Sequence, residues 1–383
     1  MTIVIAVGTR PEIIKMAPVV YALRRVKADF LLVHTYQHYD QNMNGTFFKG
    51  LRLPKPDVVL DVPKEASHAV QTSSIMIGLE RVLEENGPTL MAVEGDTNSV
   101  VAASLTAVKG RVPLAHIEAG LRSYDMRMPE EHNRKIADHL SSMLFAPTWV
   151  AEANLMKEGV RGRIYLSGNP VIDACNRFAR VADRKSTIMD EVKFDEFILA
   201  TIHRPENVDY KNTLSDIVTA LVSAPEPVVF PIHPRTVKML KYFGLYEKLA
   251  KSRSVQLIEP LGYVDFLKLM KESSLVITDS GGIQEEATAP SIRKFVLVVR
   301  KATERPEAVE AGFAKVVGTN PERIVREAKS HLDVPLPSVL SPFGDGKAGE
   351  HIAKIMVEEL ERGFTIDFLP VGVHTEVPEG EWI

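Results

Sequence analysis

The chain is poor in cysteine and has no large excess of either charge. Among its 383 residues Cys175 is the one cysteine, which excludes an internal disulfide and fits a reducing cytosol. Lys and Arg number 46 against 50 Asp and Glu, and the net charge of −4 gives no support for nucleic-acid or membrane-surface binding. The first residues lack the basic segment and cleavage site of a signal peptide. We therefore expect a cytoplasmic protein that binds neither nucleic acid nor membrane.

Long apolar runs and common nucleotide-binding motifs are also missing. No run reaches the roughly 18 uncharged apolar residues that a membrane span needs. The turn after the first apolar run carries no G-x-G-x-x-G, and the chain has no Walker motif G-x-x-x-x-G-K-S/T. The spacing of His132 and His139 does not match a zinc pair, and no C-x-x-C occurs. We expect no stock dinucleotide or ATP site, no cofactor and no bound metal.

Short apolar runs alternate with helical stretches in two successive series. The first series reads TIVIAV, FLLVHT, DVVL, TLMAVE, VPLAHI and MLFAP, and the second reads FILATI, VVFPI, VQLI, LVIT and FVLVV. Such runs suit strands that are buried on both faces, and their alternation with helices such as 97–109, 235–249 and 347–362 predicts α/β architecture with parallel sheets. We predict an N-terminal domain over 1–170, a connector over 171–192, a C-terminal domain over 193–362 and a loosely held tail over 363–383.

The stretch GTRPEIIK, residues 8–15, places Arg10 and Lys15 beside a predicted helix N-terminus, where cations are unfavourable. The tripeptide Arg-Pro-Glu recurs at 10–12, 204–206 and 305–307, each time after an apolar run. Proline favours helix starts, so coincidence can explain the repeat. The alternative is that three turns direct cations into one shared cleft.

Polar residues follow almost every predicted strand. Ligands of open parallel sheets bind beyond the carboxyl ends of the strands, which makes these residues the candidates for a site. They are Gly8, Arg10, Lys15, Glu94, Gly95, Asp96, Glu118, Ala119, Gly120, His203, Arg204, His233, Arg300 and the turn Thr278 to Gly282. In that turn Ser280 can cap a helix, and Gly281 and Gly282 allow backbone N–H groups to approach a phosphate. An ordinary glycine-assisted helix start is the alternative interpretation.

Three groups of acids come from successive loops of the first series: Asp96, Glu118 and the pair Glu130 and Glu131. If they converge, mutual repulsion and burial raise the pKa of at least one, so that one acid can hold a proton while another accepts one. Each of them alone could equally be a helix cap or a surface residue. Together they favour acid–base catalysis.

The motifs GTRPEIIKMAP, GDT at 95–97, HIEAGLRS at 116–123, MPEEHNR at 128–134, TDSGGIQEEA at 278–287 and TERPEAVEAG at 303–312 resemble those of the non-hydrolysing UDP-N-acetylglucosamine 2-epimerases. The resemblance runs from about residue 3 to 362. It implies two Rossmann-like domains that face each other across a cleft, as in GT-B glycosyltransferases, and a homodimer in polysaccharide biosynthesis. The implied reaction interconverts UDP-GlcNAc and UDP-ManNAc by elimination and re-addition of UDP through 2-acetamidoglucal. The C2 proton is not adjacent to a carbonyl group, so its direct removal by a base is strongly unfavourable. Elimination of UDP from C1 makes loss of this proton feasible.

The resemblance also implies roles for individual residues. Asp96, Glu118 and Glu130 would form the acid–base set, although the sequence does not separate Glu130 from Glu131, and His203 would stabilise the departing UDP. Ser280, Gly281 and Gly282 would contact the diphosphate, Glu286 the ribose, and Arg10 and Lys15 would complete the anion site. Arg134 and His233 are further candidates for sugar or phosphate contacts.

Three segments depart from the family pattern. Residues 37–43 read QHYDQNM in a region that the family links to activation by a second UDP-GlcNAc, Arg293 replaces a turn glycine, and residues 299–307 read VRKATERPE where the family has LRDTTERPE. Other functions remain open: a GT-B glycosyltransferase, a hydrolytic epimerase, a sugar-nucleotide-binding regulatory protein, or an epimerase of a related UDP-2-acetamido sugar.

Overall fold

Two parallel β-sheets organise the computed structural model, which describes residues 1–35, 48, 51, 53–63, 66–332 and 334–364. The first sheet has the strand order β3-β2-β1-β4-β5-β6-β7 and the second β10-β9-β8-β11-β12-β13. The strands are Thr2–Val7 (β1), Asp29–His34 (β2), Val58–Val59 (β3), Leu90–Glu94 (β4), Leu114–Ile117 (β5), Met143–Ala146 (β6), Arg163–Leu166 (β7), Ile198–Thr201 (β8), Val228–Pro231 (β9), Val255–Ile258 (β10), Val276–Thr278 (β11), Val296–Val298 (β12) and Ala314–Val316 (β13). The predicted α/β class with two parallel sheets is confirmed.

Both sheets reverse their strand order at one point, which creates a crevice at their carboxyl edges. In the first sheet β1 lies between β2 and β4, and in the second β8 lies between β9 and β11. The central strands are buried on both faces because helices cover each side, which explains their continuous apolar sequences. The crevices therefore collect the residues that follow β1, β4, β8 and β11.

The described helices flank the sheets. They are Arg10–Arg25 (α1), His68–Asn86 (α2), Asn98–Lys109 (α3), Pro129–Leu140 (α4), Trp149–Glu158 (α5), Pro170–Lys185 (α6), Pro205–Val208 (α7), Lys211–Val222 (α8), Pro234–Tyr242 (α9), Tyr246–Ala250 (α10), Tyr263–Glu272 (α11), Gly281–Glu286 (α12), Pro306–Glu310 (α13), Pro321–His331 (α14) and Ala348–Glu361 (α15), with a 3-10 helix at Ile188–Glu191. Among these helices none is long and apolar enough to cross a membrane.

The connector between the two series is mostly helix α6. Its apolar face, which includes Cys175 and Phe178, is fully buried and belongs to one core that continues from the first sheet to the second. The carboxylate of Asp173 accepts hydrogen bonds from the backbone N–H groups of Ala348 and Gly349, at 3.1 and 2.9 Å, and so holds the start of α15. Helix α15 thereby returns to the first half and packs on α1. The division at 170 and 192 stays a prediction.

Two local predictions need correction. Strands β7 and β13 were not predicted, because these short strands read RIYL and AKV, and a cation interrupts or opens each apolar sequence. The predicted helix 235–249 is two helices, which separate around Gly244 with a φ of +72°. A G-x-G-x-x-G spacing does occur at 344–349, but a loop after helix α14 precedes it, so it lacks the strand–turn–helix context of a dinucleotide site. Residues 37–43 lie outside the described residues.

Candidate active site

The candidate site lies where the carboxyl edges of the two sheets approach each other. Arg305, at the start of α13, has its Nη2 atom 3.7 Å from Oε1 of Glu118, which follows β5. Asn169, just before α6, donates through Nδ2 to Oε1 of Glu285 in α12 at 3.1 Å. Residues that follow strands of different sheets therefore share one buried polar cluster.

Lys15 and Glu118 form the centre of this cluster. The ammonium group of Lys15 lies 2.5 Å from Glu118 Oε2 and 3.0 Å from Glu94 Oε1. Burial alone would raise the pKa of Glu118, but the charges of Lys15 and Arg305 outweigh burial and lower its pKa to about 2. Glu118 is thus an ionised carboxylate. The cation that looked unfavourable in the sequence has its counter-charge, Glu118, within the protein.

Glu285 belongs to the same cluster, but its pKa is shifted in the opposite direction to that of Glu118. Its side chain is fully buried, and Oε1 lies 2.5 Å from Nε of Arg305. Burial raises the pKa of Glu285 to about 7, with a further contribution from the charge of Glu118, although Arg305 acts against this. The cluster therefore places a carboxyl group that readily holds a proton next to one that does not.

Asp96 lies at the end of the turn after β4 and remains partly open, with 33% of its side chain exposed. Its carboxylate pairs with Arg134, and its backbone carbonyl accepts a hydrogen bond from Asn133 Nδ2 at 2.8 Å. Burial raises the pKa of Asp96 in spite of Arg134, and the charge of Glu118 adds to the effect. Arg134 thus orients an acid of the site.

Helix α4 separates the two acids that the sequence left equivalent. Glu131 is buried, and its carboxylate accepts hydrogen bonds from the Ser123 N–H and hydroxyl at 2.9 Å each and from Arg134 Nη2 at 2.8 Å. Glu130 is exposed and close enough to Asp96 for its charge to contribute to the raised pKa of that residue. Glu131 therefore anchors the loop that contains Ser123, and Glu130 is the member of the pair that a ligand can reach.

Glu12 is a site neighbour that the sequence analysis missed. It caps α1 by accepting from the backbone N–H of Thr9 at 3.0 Å and from that of Gly8, and it also accepts from the Thr97 hydroxyl beside Asp96. Burial raises the pKa of Glu12 to about 7 against these hydrogen bonds. The sequence does contain a signal for this residue, because Thr9 followed three residues later by Glu12 is the pattern of a capping box at a helix start.

Asp279 organises the turn that carries His203. Its buried carboxylate accepts from the backbone N–H groups of His203 and Arg204, at 3.1 and 2.9 Å, and from Asn207 Nδ2 at 3.0 Å. The His203 ring is 36% exposed, with Nδ1 3.5 Å from Asp279 Oδ1. Burial lowers the pKa of His203, helped by Arg204 and His233 and opposed by Asp279. His203 therefore offers a mostly neutral ring to the cleft.

His233 lies close to His203, with ring centroids 5.8 Å apart. Its Nδ1 atom accepts from the backbone N–H of Arg235 at 3.1 Å and caps helix α9. This bond leaves the proton on Nε2 when the ring is neutral, so His233 combines a capping role with a possible donor near His203.

The turn after β11 presents open backbone. A Cβ atom added to Gly282 would meet no heavy atom within 4 Å, and at Gly281 the nearest would be 3.6 Å away. Ser280 is partly exposed and its N–H donates to the Thr278 hydroxyl at 3.0 Å. Glu286 stands further along α12, where burial raises its pKa to about 7 against a hydrogen bond from Tyr263.

The three Arg-Pro-Glu turns share a local role. Helices α1, α7 and α13 all start at these turns, with the proline in the first helical turn. Arg10 and Arg204 are partly exposed, whereas Arg305 is buried in the acid cluster. Helix initiation therefore explains the repeat in all three places, and at Arg305 the cation also enters the shared cleft.

A buried histidine fixes the two loops that carry Asp96 and Glu118. His116 Nδ1 lies 2.7 Å from Asp138 Oδ1, and Nε2 lies 2.8 Å from the Gly95 carbonyl. Both partners are acceptors, so the ring satisfies both only when it is doubly protonated. Burial alone would lower the pKa of His116, but Asp138 and the Gly95 carbonyl outweigh it and raise the pKa above 6.5.

We expect His116→Gln to destabilise the protein most at pH values below the ordinary pKa of histidine. Because the folded-state pKa is raised, the stabilisation by His116 is complete below its unfolded pKa and is lost as the pH rises through the folded value. The free energy of unfolding in urea should fall by about 1.5 to 3 kcal/mol near pH 6, and the difference from wild type should narrow at higher pH. A difference that is independent of pH would contradict a doubly protonated ring.

No group of three or more His, Cys, Asp or Glu within the described residues is arranged to hold a metal ion.

Comparison with known proteins agrees with this geometry. The sequence profile of the family described as UDP-N-acetylglucosamine 2-epimerase matches residues 22–357. The UDP-N-acetylglucosamine 2-epimerase of Methanocaldococcus jannaschii is 41% identical over 365 residues, covering 93% of this chain and 99% of the relative. A UDP-2,3-diacetamido-2,3-dideoxy-D-glucuronate 2-epimerase of Pseudomonas aeruginosa is 39% identical, covering 94% of this chain and 100% of that protein.

Solved structures agree as well. The M. jannaschii UDP-GlcNAc 2-epimerase in complex with UDP-GlcNAc and UDP superposes with a TM-score of 0.86 at 41% identity and covers 94% of this chain and 100% of that one. The Neisseria meningitidis enzyme bound to UDP-GlcNAc gives 0.80 at 33% identity and covers 94% and 100%. The expected GT-B-like fold and the resemblance inferred from the motifs are confirmed. A chain so similar over nearly its whole length, with the acids and the glycine turn of the motifs at one pair of sheet edges, belongs to the UDP-N-acetylglucosamine 2-epimerase family.

Proposed function

We propose that the protein interconverts UDP-N-acetylglucosamine and UDP-N-acetylmannosamine by reversible elimination of UDP. The observation that carries the proposal is the contrast between two acids that follow adjacent strands. Asp96 has a raised pKa and partial exposure, whereas Glu118 is ionised. Acids with pKa values that are pushed apart suit one proton donor and one proton acceptor.

In the proposed reaction the C1–O bond breaks and its electron pair leaves with UDP, while the C2 proton passes to one acid. The product is 2-acetamidoglucal. UDP then returns to C1 as another acid delivers a proton to the opposite face of C2. Asp96, Glu118 and Glu130 supply the acids, and a proton on the His203 ring stabilises the charge on departing UDP.

The diphosphate is proposed to lie between the two sheet edges. Ser280, Gly281 and Gly282 offer open backbone to it, and Glu286 is within reach of a ribose. Arg10 and Lys15 would reach it from the other half, and Arg134 and His233 are proposed as further sugar or phosphate contacts. A diphosphate would compete with Glu118 for Lys15, and the weakened ion pair would leave Glu118 a stronger base than it is in the free protein.

The experiment is product analysis by NMR with purified protein and UDP-GlcNAc alone. The proposal expects UDP-ManNAc with the UDP-sugar bond retained. Free ManNAc and UDP would indicate a hydrolytic enzyme, and turnover only after an acceptor is added would indicate a glycosyltransferase. Because a relative at 39% identity carries the name of a diacetamido-glucuronate epimerase, UDP-2,3-diacetamido-2,3-dideoxyglucuronate is the second substrate to compare. A homodimer and a cytoplasmic location remain predictions.

A further inference from the structure

We propose that the side-chain amide of Asn169 is a positioning group, which holds the Glu118 carboxylate in place and joins it to Glu285 of the second half. The inference rests on the proposed function, because it assumes that Glu118 handles a proton of the substrate. Asn169 lies outside every motif that pointed to the site, in the segment SGNP before helix α6.

The amide uses all of its hydrogen-bonding groups inside the protein. Nδ2 donates to Glu118 Oε2 at 2.8 Å and to Glu285 Oε1 at 3.1 Å, which matches the two N–H groups that an amide nitrogen carries. Oδ1 accepts from the backbone N–H of Val171 at 3.0 Å and caps helix α6. The backbone N–H of Asn169 donates to the Phe343 carbonyl at 2.7 Å. The residue is completely buried, so both ends of its side chain have fixed positions.

Asn169 supplies an orientation that the ion pairs do not. Lys15 reaches the same oxygen of Glu118, Oε2, at 2.5 Å, but an ammonium group is a point charge that accepts many carboxylate orientations. A donor on a rigid helix start restricts the carboxylate plane. It leaves Oε1 directed towards Arg305, whose Nη2 atom is 3.7 Å away. The backbone of Glu118 is itself held in a left-handed conformation, with a φ of +67°.

The chemistry of this position favours asparagine. The side chain must donate to two carboxylates and accept one N–H with a short reach. Ionised aspartate donates nothing and would add a like charge, serine has a single donor, and glutamine is longer. A neutral amide therefore fits between Glu118 and Glu285 without adding charge to a cluster that already holds three carboxyl groups, Glu94, Glu118 and Glu285, and two cations, Lys15 and Arg305.

The capping and positioning roles can be separated by substitution. Both Asn169→Ser and Asn169→Asp keep an oxygen for the Val171 N–H, since serine and aspartate are good N-caps, but both lose the amide donors. Asn320 is a matched control, because its Oδ1 caps helix α14 by accepting from the Arg323 N–H at 2.9 Å and its side chain is exposed, away from the cluster. The same two substitutions at Asn320 therefore test the cap alone.

We expect Asn169→Ser to lower kcat about 10- to 100-fold, the effect of a lost hydrogen bond to a charged group, while the affinity for UDP stays close to wild type. Asn169→Asp should lower kcat further. The acid side of the kcat–pH profile should move to higher pH in both variants, and more in Asn169→Asp, because a lost donor and an added negative charge each favour protonated Glu118. The other groups that face Glu118 are unchanged in these variants: Lys15, Glu94, Asp96, His116, Glu285 and Arg305.

Unchanged kcat and an unchanged pH profile in the Asn169 variants would overturn the proposal. So would loss of folding in both of them with intact Asn320 variants, since Asn169 would then be structural. Wild-type protein that does not epimerise UDP-GlcNAc would reject the proposed function instead, so the two failures are distinguishable.

Discussion

Asp96→Asn and Glu118→Gln should each lower the rate of epimerisation by about 10²- to 10⁴-fold, the contribution typical of a general acid or base. Both substitutions nearly preserve shape and remove one carboxyl group. UDP should still bind at least as tightly as to wild type, measured by calorimetry, because the glycine turn and the His203 turn stay intact and Glu118→Gln removes a competitor for Lys15. Slow turnover with UDP still bound would show that Asp96 and Glu118 are needed for proton transfer and not for binding.

Asp29→Asn provides the control for these variants. Asp29 is exposed at the amino end of β2, the opposite edge of the sheet, and its carboxylate accepts from the Thr2 hydroxyl at 2.6 Å. We expect normal turnover. Near-normal rates in both Asp96→Asn and Glu118→Gln would show that the acid–base assignment is wrong.

Arg305→Met should cause the largest loss of stability among the variants considered. Arg305 is buried and neutralises Glu285 and Glu118 on the two sides of the cleft. Its removal leaves buried carboxylates with too few cations, which costs about 3 to 5 kcal/mol. The measurement is the free energy of unfolding in urea at neutral pH.

Arg127→Met is the matched control. Arg127 pairs with Asp125 at 2.7 Å but is 90% exposed, and such surface pairs contribute little to stability. Equal destabilisation by the two substitutions would mean that the Arg305 ion pairs are no more important than a surface pair. In that case the two halves would be joined mainly by the apolar core around α6.

Much of the architecture could be predicted because the central strands are buried on both faces. Their sequences are continuous apolar runs, and the runs alternate with helices. Strands β7 and β13 escaped detection because Arg163 and Lys315 break their short apolar sequences. Gly244 ended a helix that the periodicity had extended, because its left-handed backbone is a local event that an apolar pattern does not record.

Lys15, Asp96, Glu118 and His203 could be predicted as site residues because each follows a strand. The carboxyl edge of a parallel sheet collects the loops that follow its strands. This rule did not find Asn169, and it did not show that Arg305 pairs with Glu118 and Glu285, since these contacts depend on how the two halves meet. It also left Glu130 and Glu131 equivalent. Neighbouring residues on a helix point about 100° apart, so only the packing of α4 decides that Glu131 faces inward and Glu130 outward.

Lys15 is the most instructive difference. The sequence suggested that a diphosphate relieves its unfavourable place near a helix N-terminus, and the structure places Glu94 and Glu118 around it. A lysine at this position can be neutralised by acids of the protein or by an anionic ligand, and the sequence looks the same in both cases. Only interatomic distances distinguish the two explanations.

The most direct test of elimination follows one oxygen atom. UDP-GlcNAc is prepared with a heavy oxygen isotope in the bridge between C1 and the β-phosphate, and the reaction is run in heavy water. If UDP leaves and its β-phosphate rotates before UDP returns, the label moves to non-bridging phosphate positions while deuterium enters C2. A label that stays in the bridge while C2 inverts would contradict the account.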